Sequence, residues 1–296
     1  MNDFRLPIGD WAVSIVDFIT AVFGPFFDAV GTIFVGFYQG VDWVLTTPPF
    51  WVIILIIAAI AAYARGWIFA LGSILGLLVI VGVDQWTNAM DTLALVLVAA
   101  LIAVALSIPL GIWAARSKTV SSIMKPVLDF MQTMPAFVYL IPAVILFSGG
   151  VMPGIVATVI FSMAPGVRLT ELGIRGVDKE VVEAGLAFGA SPGRILRQIQ
   201  FPLAAPTIMA GVNQVIMLSL SMVVIAGMVG AGGLGAQIIQ ALSRIDVGLG
   251  TEAGISVVIL AILLDRLTAS LGASRRRRPS KIAVDVPSAE MSSTNA

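Results

Sequence analysis

Seven nearly uninterrupted apolar runs decide what this chain can fold into. They cover residues 49–64, 66–83, 91–114, 134–149, 151–167, 206–231 and 253–271. A membrane-spanning helix needs roughly 20 apolar residues, fewer where flanking groups snorkel. Only 11% of the 296 residues are charged and 58% are hydrophobic, against roughly 25% charged in soluble domains. Mean hydropathy is +1.02. A water-soluble core cannot hide that much apolar surface, so the bilayer is part of this chain's solvent. The expectation is an all-α integral membrane protein with about seven spans.

The sequence holds no Cys and no His. This removes disulfides, thiol nucleophiles, imidazole bases and the usual zinc ligands. The carboxylates are scattered and mostly flank the apolar runs, so no pair suggests acid–base catalysis. A formal net charge of zero gives no general attraction to nucleic acid.

Basic residues orient the spans. Arg116, Lys118 and Lys125 share one connection, and Arg168, Arg175, Lys179, Arg194 and Arg197 share another. Arg275 to Arg278 follow the last run, where they read as a topology anchor. Asp84, Asp91, Arg244, Asp246 and Glu252 fall in the alternate connections. The positive-inside rule therefore places the basic loops and the C-terminus in the cytoplasm and the N-terminus outside. No cleavable signal peptide is evident in the mixed-charge start at Asp3, Arg5 and Asp10.

Residues 1–48 read as an external amphipathic segment. Trp11, Ile15, Phe18, Val22, Phe26, Val30, Ile33 and Phe37 recur every three or four residues, and Gly24-Pro25 is expected to bend or break the helix. The segment suits either the membrane interface or the flank of the bundle. Residues 49–90 form two peripheral spans and 91–272 the core. The Ser-, Pro- and Arg-rich tail 273–296 is expected to be disordered in the cytoplasm.

The connection 170–205 is long for a loop between spans, which implies structure and a task. Val181 to Phe188 suits a helix, with Gly189 as its stop. Ser191-Pro192 suits the start of a second helix, which Phe201-Pro202 is expected to end. The result is a compact cytoplasmic knob. Gly185 and Gly189 lie four apart, so they share a helical face and permit close approach of another surface.

Glu183-Ala184-Gly185, Gly189 and Ile199-Gln200-Phe201-Pro202 resemble, at the right spacing, the EAA signature of ABC importer permeases. Gly185 replaces an Ala and Phe201 a Leu. The run Met131 to Leu140 (MQTMPAFVYL) resembles the glycine betaine/proline betaine permeases more closely still. So do Phe188 to Pro192, Pro206 to Gln214, Leu220 to Ala226, Val229 to Gly235 and Ile259 to Thr268. The likeness covers about residues 90–272.

The resemblance implies a MetI-like ABC importer fold in which two permease copies pair and dock two cytoplasmic ATPases. A solute-binding protein outside delivers glycine betaine, proline betaine or a related quaternary ammonium osmolyte such as choline or carnitine. Glu183, Ala184, Gly185, Gly189, Ile199 and Pro202 become the ATPase-coupling residues. No Gly-x-x-x-x-Gly-Lys-Ser/Thr phosphate loop occurs here, so ATP and Mg belong on the partner ATPase and this chain binds no cofactor. Phe137, Tyr139, Asn213, Gln214, Met217 and Ser221 are candidates for a weak transit site, since a methylated ammonium favours aromatic faces. Helix packing is the competing role for each. Asp265-Arg266 reads as an interfacial anchor. The two dozen polar residues after Gly272 are too few for a binding domain, which points to a separate binding protein.

Three other readings compete. The chain is a permease for another small solute, such as methionine or a phosphonate; an ion-coupled secondary transporter; or an intramembrane enzyme. The second usually needs carboxylates or broken helices at mid-membrane, and the spans from 91 to 231 show no mid-membrane carboxylate.

Overall fold

A computed structural model describes residues 7–273. Among them the regular structure is entirely helical. The expected tail at 274–296, with its four arginines, lies outside the described residues.

Helix α1 (Ile8–Thr46) is continuous through Pro25. The expected break there does not occur. Proline removes one hydrogen bond of the ladder, and the remaining turns of a 39-residue helix carry the chain across. The contacts of α1 also refine its amphipathic reading. Phe34, Tyr38, Val41 and Leu45 pack on the core, whereas the stripe from Trp11 to Phe37 is mostly exposed and turned away from the bundle. Phe27 meets Phe147 edge-on at 5.7 Å, and Asp42 approaches Asp91. Phe147 ends one helix and Asp91 lies near the start of another, at the same end of the bundle. Fifteen residues of helix rise about 22 Å. α1 therefore crosses this end of the bundle rather than running parallel to its axis.

Helices α2 (Phe50–Arg65) and α3 (Trp67–Gly82) are apolar and antiparallel, reversing at Gly66 with φ +94°. Each is about 24 Å long, short of a roughly 30 Å hydrocarbon layer. α4 (Trp86–Arg116) is long enough to span. It takes in Asp91, so this residue lies in a helix and not in a connection.

α5 (Lys118–Thr133) is amphipathic and is capped by Ser117, whose Oγ accepts from the Val120 amide at 3.3 Å. The run 134–149 is not a straight span. Pro135 pushes Met134 out of helical geometry, to ψ 137°. A single 3-10 turn (136–139) then leads into α6 (Leu140–Phe147), bent by 108° from α5. α7 (Val151–Arg175) runs eight residues past the expected limit of its apolar run.

The connection that follows α7 holds α8 (Lys179–Ala187) and α9 (Pro192–Ile195). Phe201-Pro202 does not end the second helix. A π-turn at 196–200 absorbs the step, and the chain continues into α10 (Phe201–Ala226) with Pro202 in its first turn. Proline is tolerated there, because the π-turn just before it has already interrupted the regular i→i−4 ladder that its missing amide would join. A turn at 227–229 leads to α11 (Gly233–Arg244), a short amphipathic helix that the apolar runs do not reveal. α12 (Val247–Ala273) closes the described chain. By length and composition five described helices can cross a membrane, or six if the bent pair counts as one span.

The core is α4, α7 and α10, packed through small residues. Between apolar helices in lipid the hydrophobic effect contributes little, so close backbone approach and dispersion take over. A Cβ on Gly111 would lie 2.7 Å from the Val167 carbonyl, and one on Gly211 3.5 Å from the Gly166 Cα. Ser162 and Ser219 join α7 to α10 at 3.1 Å.

Candidate functional site: the coupling hairpin and the α10 face

α7 and α10 leave the bundle at the end where α4 stops, and α8 and α9 bridge them as a hairpin. Asp178 caps α8 by accepting from the Glu180 amide at 3.0 Å. Gly189 adopts φ +76°, the left-handed geometry of a helix stop. The Ala190 amide closes the turn on the Gly185 carbonyl at 3.1 Å. Pro192 opens α9, although Ser191 makes no side-chain cap bond.

The two glycines do different jobs. A Cβ on Gly185 would come within 2.7 Å of Ile199 Cδ1, so the surface that closes on Gly185 is the hairpin's own Ile199. Gly189 has open space around it and is needed for its backbone angle. Glu183 and Ala184 are exposed and Gly185 is half-buried. Val181, Leu186 and Phe188 are exposed apolar residues, Phe188 at 92%. Clustered apolar exposure outside a bilayer marks a surface that receives a partner.

The candidate transit residues do not form one cluster. Phe137 is exposed and lines an apolar groove of about 480 Å³ with Ile141, Val144, Met228 and Val229. Tyr139 is buried; its hydroxyl donates to the Met131 carbonyl and its ring leans on Phe161 at 6.1 Å. Asn213 turns toward α12. It donates to Asp265 Oδ1 at 3.2 Å and accepts from the Thr268 hydroxyl. Gln214, Met217 and Ser221 follow one face of α10, exposed at Gln214 and Ser221 and half-buried at Met217. Tyr139 and Asn213 thus have packing roles, while the other four face outward from the bundle.

Polar contacts that the sequence does not signal hold the base of the hairpin. Glu171 Oε1 accepts from Ser121 Oγ at 2.7 Å and forms an ion pair with Arg175, its Oε1 3.1 Å from Nε. Arg175 Nη2 donates to the Ala114 carbonyl at 2.7 Å, serving a carbonyl left over at the end of α4. Arg168 pairs with Asp129. At the opposite end, Thr92 Oγ1 accepts from the Leu234 amide at 2.8 Å and so holds the start of α11. Apart from Glu171 and Arg175, which lie four apart on α7, these partners are 39 to 142 residues apart, which periodicity cannot detect.

Residues 107–277 match the family of binding-protein-dependent transport system inner membrane components. The chain is 49% identical to the glycine betaine/carnitine transport permease protein GbuB of Listeria monocytogenes, over 89% of this chain and 94% of that one. It is 45% identical to the glycine betaine transport system permease protein OpuAB of Bacillus subtilis, over 93% and 97%. It is also 45% identical to the glycine betaine/proline betaine permease protein ProW of Escherichia coli, over 92% and 77%. Among solved structures it matches an inward-facing MetNI methionine ABC transporter with TM-score 0.58 and 21% identity, over 65% of this chain and 96% of that one. That likeness is one of fold. With a family match over more than half its length and near half its residues shared with these permeases, this membrane chain belongs to the binding-protein-dependent transport system inner membrane components.

Proposed function

We propose that this chain is the permease subunit of an ATP-driven importer that carries glycine betaine or a related quaternary ammonium osmolyte into the cell. The observation that carries the reading is the exposed hairpin with Glu183, Ala184, Gly185 and Gly189 in EAA register, in a chain 45–49% identical to permeases named for glycine betaine. Two permease copies pair in the inner membrane. Each hairpin enters a cleft on a cytoplasmic ATPase, with Phe188, Leu186 and Val181 supplying apolar contact. Ile199 and Pro202 set the hairpin's geometry from the α10 side. ATP and Mg act on that partner, and this chain needs no cofactor of its own.

Closure of the ATPases draws the hairpins together and opens the pathway outward. An external binding protein delivers the solute, and hydrolysis resets the cycle. The hairpin end of the bundle faces the cytoplasm, as the basic residues there favour. The N-terminal segment 1–48 then lies outside, with the exposed stripe of α1 in the membrane interface. Segments 49–90 and 91–272 act as peripheral spans and permease core, and Phe137, Gln214, Met217 and Ser221 face the solute's path.

Reconstitution tests the reading. Permease, ATPase and binding protein together in liposomes should accumulate glycine betaine on ATP, and omission of any one should abolish uptake. Accumulation by permease alone would instead support an ion-coupled transporter.

A further inference from the structure

Glu171 is 8% exposed and sits one turn before α7 gives way to the hairpin. A buried carboxylate loses several kcal/mol of hydration, which close partners must offset. Its partners are Ser121 on α5 and Arg175 on its own helix, at 2.7 and 3.1 Å. Arg175 in turn holds Ala114 at the end of α4. One turn earlier Arg168 reaches Asp129, again on α5. Ser121 and Asp129 lie about 12 Å apart along α5, so two polar contacts fix the register of α5 on α7. Apolar packing of Leu128, Met124 and Met131 on Ala164 and Val167 already holds the helices together. Attachment alone does not require a buried charge. In some proteins such groups set one arrangement among several.

The far end of α5 carries the consequence. Past the Pro135 bend lie Phe137 and its groove, and the Tyr139 hydroxyl is bonded back to the Met131 carbonyl of α5. A continuous set of contacts therefore runs from the hairpin base through Glu171 and Ser121, along α5, to the Phe137 segment. We propose that Glu171 is a positioning residue that makes α5 follow the hairpin, so that hairpin movement is delivered to the Phe137 segment. The proposal rests on the reading above that the hairpin docks an ATPase.

The complete complex of permease, ATPase and binding protein in liposomes provides the test, with glycine betaine uptake and ATP hydrolysis measured together. A wild-type complex without ATP-driven uptake would sink the importer reading itself, separately from the role of Glu171. Given a working wild type, E171Q and S121A should keep hydrolysis within about twofold while uptake per ATP falls about tenfold, the size of a typical coupling term. S121T, which keeps the hydroxyl, should restore the ratio. The double variant should be no worse than either single one, because both break one link. S121A removes a single oxygen and serves as the second variant if E171Q does not assemble. An unchanged ratio, a parallel fall of uptake and hydrolysis, additive losses, or loss of assembly in both variants would each overturn the proposal.

Discussion

Asn213 of α10 donates to the Asp265 carboxylate of α12 at 3.2 Å and accepts from Thr268 one turn on. An amide within a span is thus committed to a neighbouring helix. Asp265 also stands 3.9 Å from Arg266, so the Asp265-Arg266 anchor includes a third residue from another span.

Replacing Asn213 with Leu should therefore act on stability. Asp265 loses its donor, at a cost of about 1–3 kcal/mol. Thermal unfolding in detergent should show a melting temperature several degrees lower, while the KM for betaine uptake stays at the wild-type value. A raised KM at unchanged stability would return Asn213 to the transit path.

The two hairpin glycines should separate on substitution. G185A should be tolerated, because Ile199 Cδ1 is the movable end of a side chain and Ala favours the helix by about 1 kcal/mol. G189V should not, because φ +76° costs an L-residue about 1–2 kcal/mol and a β-branched one more. Co-purification with the ATPase should fall about tenfold for G189V and hold for G185A.

A tight crossing near α11 predicts a folding defect. A Cβ on Gly227 would lie 2.3 Å from the Gly235 carbonyl carbon, and backbone cannot swing aside. G227A should cost about 3 kcal/mol. Gly254 has nothing within 4 Å of an added Cβ, so G254A is the control. Folded yield and melting temperature after membrane extraction check the contrast.

The proposed orientation rests on the basic residues at the hairpin end and can be checked directly. A reporter placed in the α8–α9 turn at Ala190 should behave as cytoplasmic, and one in the connection at Gly149-Gly150 as external. The reverse pattern would invert the proposed topology.

How much of this was legible before the structure depends on the range of the signal. Gly189 as a helix stop and Pro192 as a helix start are local choices of backbone angle, and both hold. The fate of Phe201-Pro202 is not local. Whether that proline ends α9 or begins α10 depends on a π-turn before it, and on α7 packing against the helix after it. Likewise Pro135 signals an extended residue before it, but not a 108° bend.

Apolar runs, Gly189 and Ser191-Pro192 were enough to establish from sequence alone a helical membrane protein with a short helical hairpin between two of its long helices. These are properties of composition and of short-range backbone preference, which the bilayer and the peptide unit enforce wherever they occur. Tertiary structure decided which stripe of α1 meets the bundle, that Gly185 receives Ile199, that Asn213 serves α12, and that Glu171 joins α5 to the hairpin. Each depends on side chains brought together across the chain. In a bundle whose helix faces are nearly all apolar, hydrophobic periodicity cannot say which face meets which; small-residue contacts and a few hydrogen bonds do.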